Sequence, residues 1–137
     1  MRLALIGFGN QGKKRIKVFG KKIKITVDKY NKSADYVSIY DVPLNSYDAA
    51  ICCLPDDEKE KIIEFLLKNK KHIMVEKPFF CKNLKKLNLI ERIRKKYKLT
   101  LYVAYNHRFE PSLIKLQKYI KQKKIGKIYY SNFFYGN

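Results

Sequence analysis

A glycine loop set between two segments of different period constrains this chain more than anything else in it. Residues 2–6 (RLALI) are a short apolar run that stops at Gly7, and residues 11–19 follow with helical spacing through Ile16 and Phe19 until Gly20. Between them, Gly7-Phe8-Gly9-Asn10-Gln11-Gly12 matches G-x-G-x-x-G at a strand-to-helix turn. Each glycine has a distinct task there. Gly7 permits the tight turn, Gly9 lets a pyrophosphate approach the backbone, and Gly12 lets helix and strand pack closely. Free N–H groups at the helix start then face the phosphates. The loop alone also suits an ordinary turn, but Asp28 lies 21 residues after Gly7 at the end of the next apolar run, 23–27 (IKITV). A carboxylate in that place accepts hydrogen bonds from an adenosine ribose, which favours NAD. Lys29 beside it would instead suit the 2′-phosphate of NADP, so the reading leans to NAD without excluding NADP.

The rest of the chain repeats the strand–helix alternation. Residues 36–39 (YVSI) read as a weak third strand, and 48–53 (DAAICC) as a fourth whose small apolar residues suit a parallel strand covered on both faces. Asp56 is the expected N-cap of the clearest helix, with Asp57, Glu58 and Glu60 in its first turns, Lys68, Lys70 and Lys71 at its end, and a stripe of Ile62, Ile63, Leu66 and Leu67. A fifth strand (72–75, HIMV) follows. Asn83 caps a helix carrying Leu84, Leu87, Ile90, Ile93 and Tyr97, and 99–104 (LTLYVA) is a sixth strand. Such alternation predicts an α/β fold with a doubly wound parallel sheet, whose ligands sit at the carboxyl ends of the strands.

Composition narrows the function classes. The 137 residues carry 31 Lys+Arg against 12 Asp+Glu, a formal net charge of +19, yet 46% of the chain is hydrophobic, which argues against disorder. Only five of the basic residues are arginine (Arg2, Arg15, Arg92, Arg94, Arg108), the residue that reads bases and forks onto phosphates, and the lysines are spread over every segment. Nucleic acid is therefore a disfavoured partner, and the charge is expected mainly on solvated helix faces, with some near Lys13, Lys14 and Arg15 helping to hold phosphates. No apolar run reaches the roughly 18 residues of a membrane span, so a cytoplasmic, non-membrane protein is expected. Cys52, Cys53 and Cys81 are odd in number and lack metal spacing, so they are expected reduced and no metal site is predicted.

A second group of motifs is more specific. Ile51-Cys52-Cys53-Leu54-Pro55, then Val75-Glu76-Lys77-Pro78-Phe79, then Ala104-Tyr105-Asn106-His107-Arg108-Phe109-Glu110-Pro111, and finally Ile125-Gly126-Lys127-Ile128 follow the glycine loop in order. This set resembles the Gfo/Idh/MocA oxidoreductases, relatives of glucose-fructose oxidoreductase and inositol dehydrogenase. The resemblance spans essentially the whole chain.

It implies a Rossmann-type NAD(P)-binding domain over 1–108 and, over 109–137, the helix and first strand of a substrate or oligomerisation domain. It also implies hydride transfer between nicotinamide and a hydroxyl-bearing carbon of a sugar, cyclitol or nucleotide-linked sugar. Lys77 would be the catalytic cation near both nicotinamide and substrate, aimed by Pro78, whose preceding peptide bond is a candidate for cis. Gly7, Phe8, Gly9, Asn10, Gln11, Gly12, Asp28, Leu54, Pro55, Glu76 and Lys77 would hold the cofactor, with Glu76 beside the nicotinamide ribose.

Asn106 and Arg108 would touch substrate or support the domain junction. His107 is expected to be an ordinary partly buried histidine, and His72 is structural. The family's Asp-x-x-x-His-like segment has no counterpart here. The aromatic segment 128–135 (IYYSNFFY) reads as the first strand of a missing sheet. The chain is accordingly expected to be a fragment with little turnover by itself, or to complete that sheet by pairing with another copy. The alternative function is a catalytically inactive dinucleotide-binding module, or a basic nucleic-acid-binding one.

Overall fold

The computed structural model describes residues 1–81 and 83–134. These fall into two compact units, Met1–Ala104 and Tyr105–Asn137.

The first unit is built on five parallel strands, β1 (Leu3–Ile6), β2 (Ile23–Val27), β3 (Ala49–Cys52), β4 (His72–Glu76) and β5 (Leu101–Ala104), in the order β2-β1-β3-β4-β5. Successive side chains of a strand point to opposite faces, and the core divides accordingly. Leu3, Leu5, Ala49 and Ile51 meet Ile16 and Phe19 of helix α1 (Asn10–Phe19) on one face. Ala4, Ile6, Val27, Ala50, Cys52, Ile73 and Val75 pack on the other against Ile63, Leu66 and Leu67 of α2 (Asp56–Lys68) and Ile90 of α3 (Leu84–Lys96). Burial on both faces is why these strands read as continuous apolar runs.

Several expectations are corrected here. Residues 36–39 form no strand. Tyr36 makes a single parallel bridge to Val27, and the chain then turns into a 3-10 helix at Ile39–Asp41, started by the Ser38 hydroxyl accepting from the Tyr40 N–H at 3.2 Å. The Asp35 carboxylate accepts from the N–H and hydroxyl of Thr26, at 2.8 and 2.7 Å, so a side chain holds the β2 edge that a sixth strand would have paired. Asp56 is not an N-cap. Pro55 occupies that position, and Asp56 instead pairs with Lys59. Asn83 does cap α3, its side chain accepting from the Lys86 N–H at 2.9 Å. The buried stripe of α3 is narrower than its sequence suggests: Ile90 and Ile93 reach the core, while Leu84, Leu87 and Tyr97 are exposed.

Tyr47 is fully buried and its hydroxyl has no hydrogen-bond partner among the described residues, although Lys71 Nζ stands 4.7 Å from the ring centroid. Desolvation of the phenol, with the nearby Cys52 thiol, pushes its pKa up to about 12. An orphaned buried hydroxyl costs on the order of 1 kcal/mol or more. Tyr47→Phe is therefore expected to raise the unfolding free energy by about 1 kcal/mol in denaturant titration; a loss of stability would show that the hydroxyl has a partner.

In the second unit a 3-10 turn (Asn106–Phe109) leads into α4 (Pro111–Lys121), with proline at the first helical position. Residues 128–134 form no strand, contrary to expectation; Tyr135 lies outside the described residues. The described residues of this unit hold no other strand for the segment to pair with, and Tyr129, Tyr130, Phe133 and Phe134 stand exposed.

Candidate functional site

The carboxyl ends of the strands line up as Val27, Ile6, Cys52, Glu76 and Ala104. Between β1 and β3 the chain reverses its direction of travel across the sheet, the place where open α/β sheets bind ligands. A cleft of about 890 Å³ lies there, lined by Gly7, Gly9, Asn10 and Gln11 on one side and by Asp28, Lys29, Tyr30, Leu54 and Pro55 around it.

The three loop glycines differ in what the fold asks of them. Gly7 has φ of +93°, and a Cβ on it would stand 2.3 Å from the Cys53 carbonyl oxygen. On Gly12 a Cβ would come within 2.1 Å of the Gly7 carbonyl oxygen, because the helix starts directly against the turn. Gly9 has φ −75° and ψ −163°, which any residue adopts, and a Cβ on it would meet nothing among the described residues within 4 Å. The fold therefore needs Gly7 and Gly12, while the open space at Gly9 is room for something brought to the loop.

Gly9 is also the N-cap of α1, with no side chain capping the helix start. The first N–H groups of a helix have no acceptor within it, so those of Asn10 and Gln11 are available to an anion at this end of the cleft. Lys13 and Lys14 are exposed nearby in sequence, but Arg15 is not a phosphate ligand here. Its Nε donates to Glu76 Oε1 at 2.6 Å, and Nη2 donates to the same oxygen.

Asp28 is tied into the loop. Its Oδ2 accepts from the Phe8 N–H at 2.7 Å, and its Oδ1 accepts from the N–H groups of Tyr30 and Asn31, each at 2.8 Å. Partial burial works against ionisation, and the hydrogen bonds from Phe8, Tyr30 and Asn31 outweigh it, holding this carboxyl below its usual range. Phe8 serves through its backbone; its ring packs on the core with Leu3 and Leu5.

Glu76 and Lys77 stand at the end of β4, and neither lines this cleft. From β2 to β4 is three strand spacings, so Asp28 and Lys77 stand roughly 14 Å apart along the edge. Glu76 is only 8% exposed and is engaged by Arg15, whereas the Lys77 side chain is exposed. The Lys77–Pro78 peptide bond is cis. A residue missed by sequence reading, Lys59, is 2% exposed, and its Nζ donates to Asp56 Oδ1 at 2.7 Å and to the Pro78 carbonyl at 2.6 Å. Lysine among acidic neighbours at a helix start reads as solvent-facing, and only its place on the inward side of α2 revealed otherwise.

Asn106 and Arg108 belong to the second unit, in its 3-10 turn. His107 is exposed rather than partly buried and pairs through Nδ1 with Glu110, three residues on. His72, at the amino end of β4, accepts at Nδ1 from the Thr100 N–H at 3.1 Å. Burial pushes the Cys53 thiol up to about 12, with the Glu76 carboxylate adding to it, and raises that of buried Cys52 as well; neither is poised as a nucleophile. No helix among the described residues is long and apolar enough to cross a membrane.

The family model described as the oxidoreductase family with an NAD-binding Rossmann fold, Gfo/Idh/MocA, matches residues 1–105. The chain belongs to this family. No curated protein matches it by sequence. Among solved structures, the WlbA dehydrogenase of Chromobacterium violaceum, in complex with NADH and UDP-GlcNAcA, superposes with a TM-score of 0.79 at 20% identity, over 94% of this chain and 42% of that one. UDP-N-acetylglucosamine 3-dehydrogenase of Acidithiobacillus ferrooxidans gives 0.75 at 19%, over 86% and 42%. The scyllo-inositol dehydrogenase of Lactobacillus casei gives 0.75 at 18%, over 92% and 43%. These likenesses show a shared fold, and the chain spans about two-fifths of the length of the structures it matches.

Proposed function

We propose that this Gfo/Idh/MocA chain is the cofactor-holding part of an oxidoreductase. Its reaction would pass a hydride between a nicotinamide dinucleotide and a hydroxyl-bearing carbon of a sugar, cyclitol or nucleotide-linked sugar. The observation that carries this reading is Gly9. Its open approach, beside uncapped helix N–H groups and continuous with the cleft reaching Asp28, fits a pyrophosphate with an adenosine beyond it.

Asn10 and Gln11 would donate backbone N–H to the pyrophosphate. Asp28 has about four acceptor positions, of which Phe8, Tyr30 and Asn31 take three, leaving one for a ribose hydroxyl. Leu54 and Pro55 would cover the opposite wall. When bound, the dinucleotide supplies the hydride donor or acceptor. Lys77, as a cation beyond β4, would sit beside the substrate hydroxyl and stabilise the charge developing on its oxygen. Glu76 would act through Arg15, holding the end of β4 to α1, more than by touching a ribose. Asn106 and Arg108 remain candidates for the substrate side.

The cofactor preference follows from charge. A 2′-phosphate brought to the single remaining acceptor position of Asp28 would face a carboxylate, and the Lys29 ammonium that would offset it lies 5.3 Å from the Tyr30 ring centroid. Calorimetry on the full chain is expected to show NADH binding about tenfold tighter than NADPH, a difference of about 1.4 kcal/mol. Tighter binding of NADPH would reverse the preference, and failure of both to bind would end the proposal.

A further inference from the structure

Two charged side chains are buried among the described residues, Lys59 and Glu76, and they hold the backbone on either side of Lys77. Glu76 immediately precedes Lys77 and is gripped by Arg15 of α1. On the other side the Pro78 carbonyl accepts from Lys59 Nζ of α2 at 2.6 Å. Beyond Glu76 the strand has ended, so Pro78 has no ladder to join and its carbonyl finds its donor in a side chain from another element.

The position of Lys59 is costly for a cation. Taking an ammonium out of water carries a large penalty, and an apolar residue of similar volume often serves stability equally well. Asp56 balances the charge but is itself half exposed and lies on the same helix, so that pair joins nothing new. What an apolar residue could not supply is a directed N–H donor to Pro78. We propose that Lys59 is a positioning residue, which through the Pro78 carbonyl fixes where the Lys77 ammonium stands at the nicotinamide end of the site. This deepens the proposed function and rests on its reading of Lys77.

An ammonium near the nicotinamide disfavours the oxidised ring, which is positively charged, relative to the reduced ring, which is neutral. The ratio of NADH to NAD affinity therefore reports on the Lys77 charge, while contacts common to both forms cancel. That ratio is to be measured by titration calorimetry on the full chain, for the parent, Lys77→Ala, Lys59→Met and the double variant, with thermal melts alongside.

Lys77→Ala is expected to shift the ratio toward NAD by about fivefold, the scale of one charge at roughly 4 Å in a high effective dielectric. Lys59→Met is expected to shift it nearly as far, and to do nothing further once Lys77 is alanine. Lys59→Gln, which keeps a shorter donor without charge, should fall between parent and methionine, and gives the same comparison if methionine prevents folding. An unshifted ratio in folded Lys59→Met overturns the proposal. So does a shift of equal size with and without Lys77, which would mean a field acting through space. If NADH binds but Lys77→Ala leaves the ratio unchanged, the underlying reading of Lys77 has failed and the proposal falls with it.

Discussion

Gly12→Ala is expected to remove about 3 kcal/mol of stability, because the methyl would overpack against backbone, with no soft side chain to yield. The added methyl would stand 2.1 Å from the Gly7 carbonyl oxygen, a backbone atom fixed by the Gly7 N–H bond to the Val27 carbonyl at 2.8 Å. Gly7→Ala should cost a similar amount for a second reason, since its φ of +93° disfavours any side chain even before the approach to Cys53 is counted. Denaturant titration of the two variants measures this directly. A loss under about 1 kcal/mol in either would mean that the turn opens more easily than its packing implies.

Gly9 is expected to behave in the opposite way. Gly9→Val should leave the unfolding free energy within about 1 kcal/mol, since its backbone is already extended and only the helix cap is weakened. Its affinity for NADH should nevertheless fall by about 100-fold, equivalent to about 2.7 kcal/mol, as the isopropyl group fills the approach to the loop. Unaltered binding would place the pyrophosphate elsewhere and leave Gly9 as an ordinary cap. The pair of results separates glycines required by the chain from one required by its ligand, a distinction that G-x-G-x-x-G as a pattern does not contain.

Much of the fold was legible because the signals were local. The apolar runs of β1, β3 and β4, the helical spacing of α2, the Asn83 cap and the loop at Gly7 each depend on a few adjacent residues, and each stands where the sequence placed it. The failures were cases where a competing partner lay elsewhere. Residues 36–39 lost their strand to the Asp35 side chain at the β2 edge, and 128–134 had no strand to pair with among the described residues of their own unit. Leu84 and Leu87 follow the helical period yet face solvent, since only the turns of α3 around Ile90 and Ile93 reach the sheet.

The site divides in the same manner. The glycine loop and Asp28 were marked by their order and spacing, whereas the segment Glu76-Lys77-Pro78 was singled out by its resemblance to the family that the chain belongs to. The bonds of Arg15 to Glu76, of Lys59 to Pro78, and of Asp28 to the Phe8 backbone could not be read in either way, because they join residues 61, 19 and 20 positions apart. Hydrophobic period and turn chemistry are properties of neighbours along the chain, and so the sequence by itself determined a parallel α/β frame with a dinucleotide loop. Which charges become buried, and which backbone group each one holds, depends on where helices dock on the sheet; that only the tertiary structure decided.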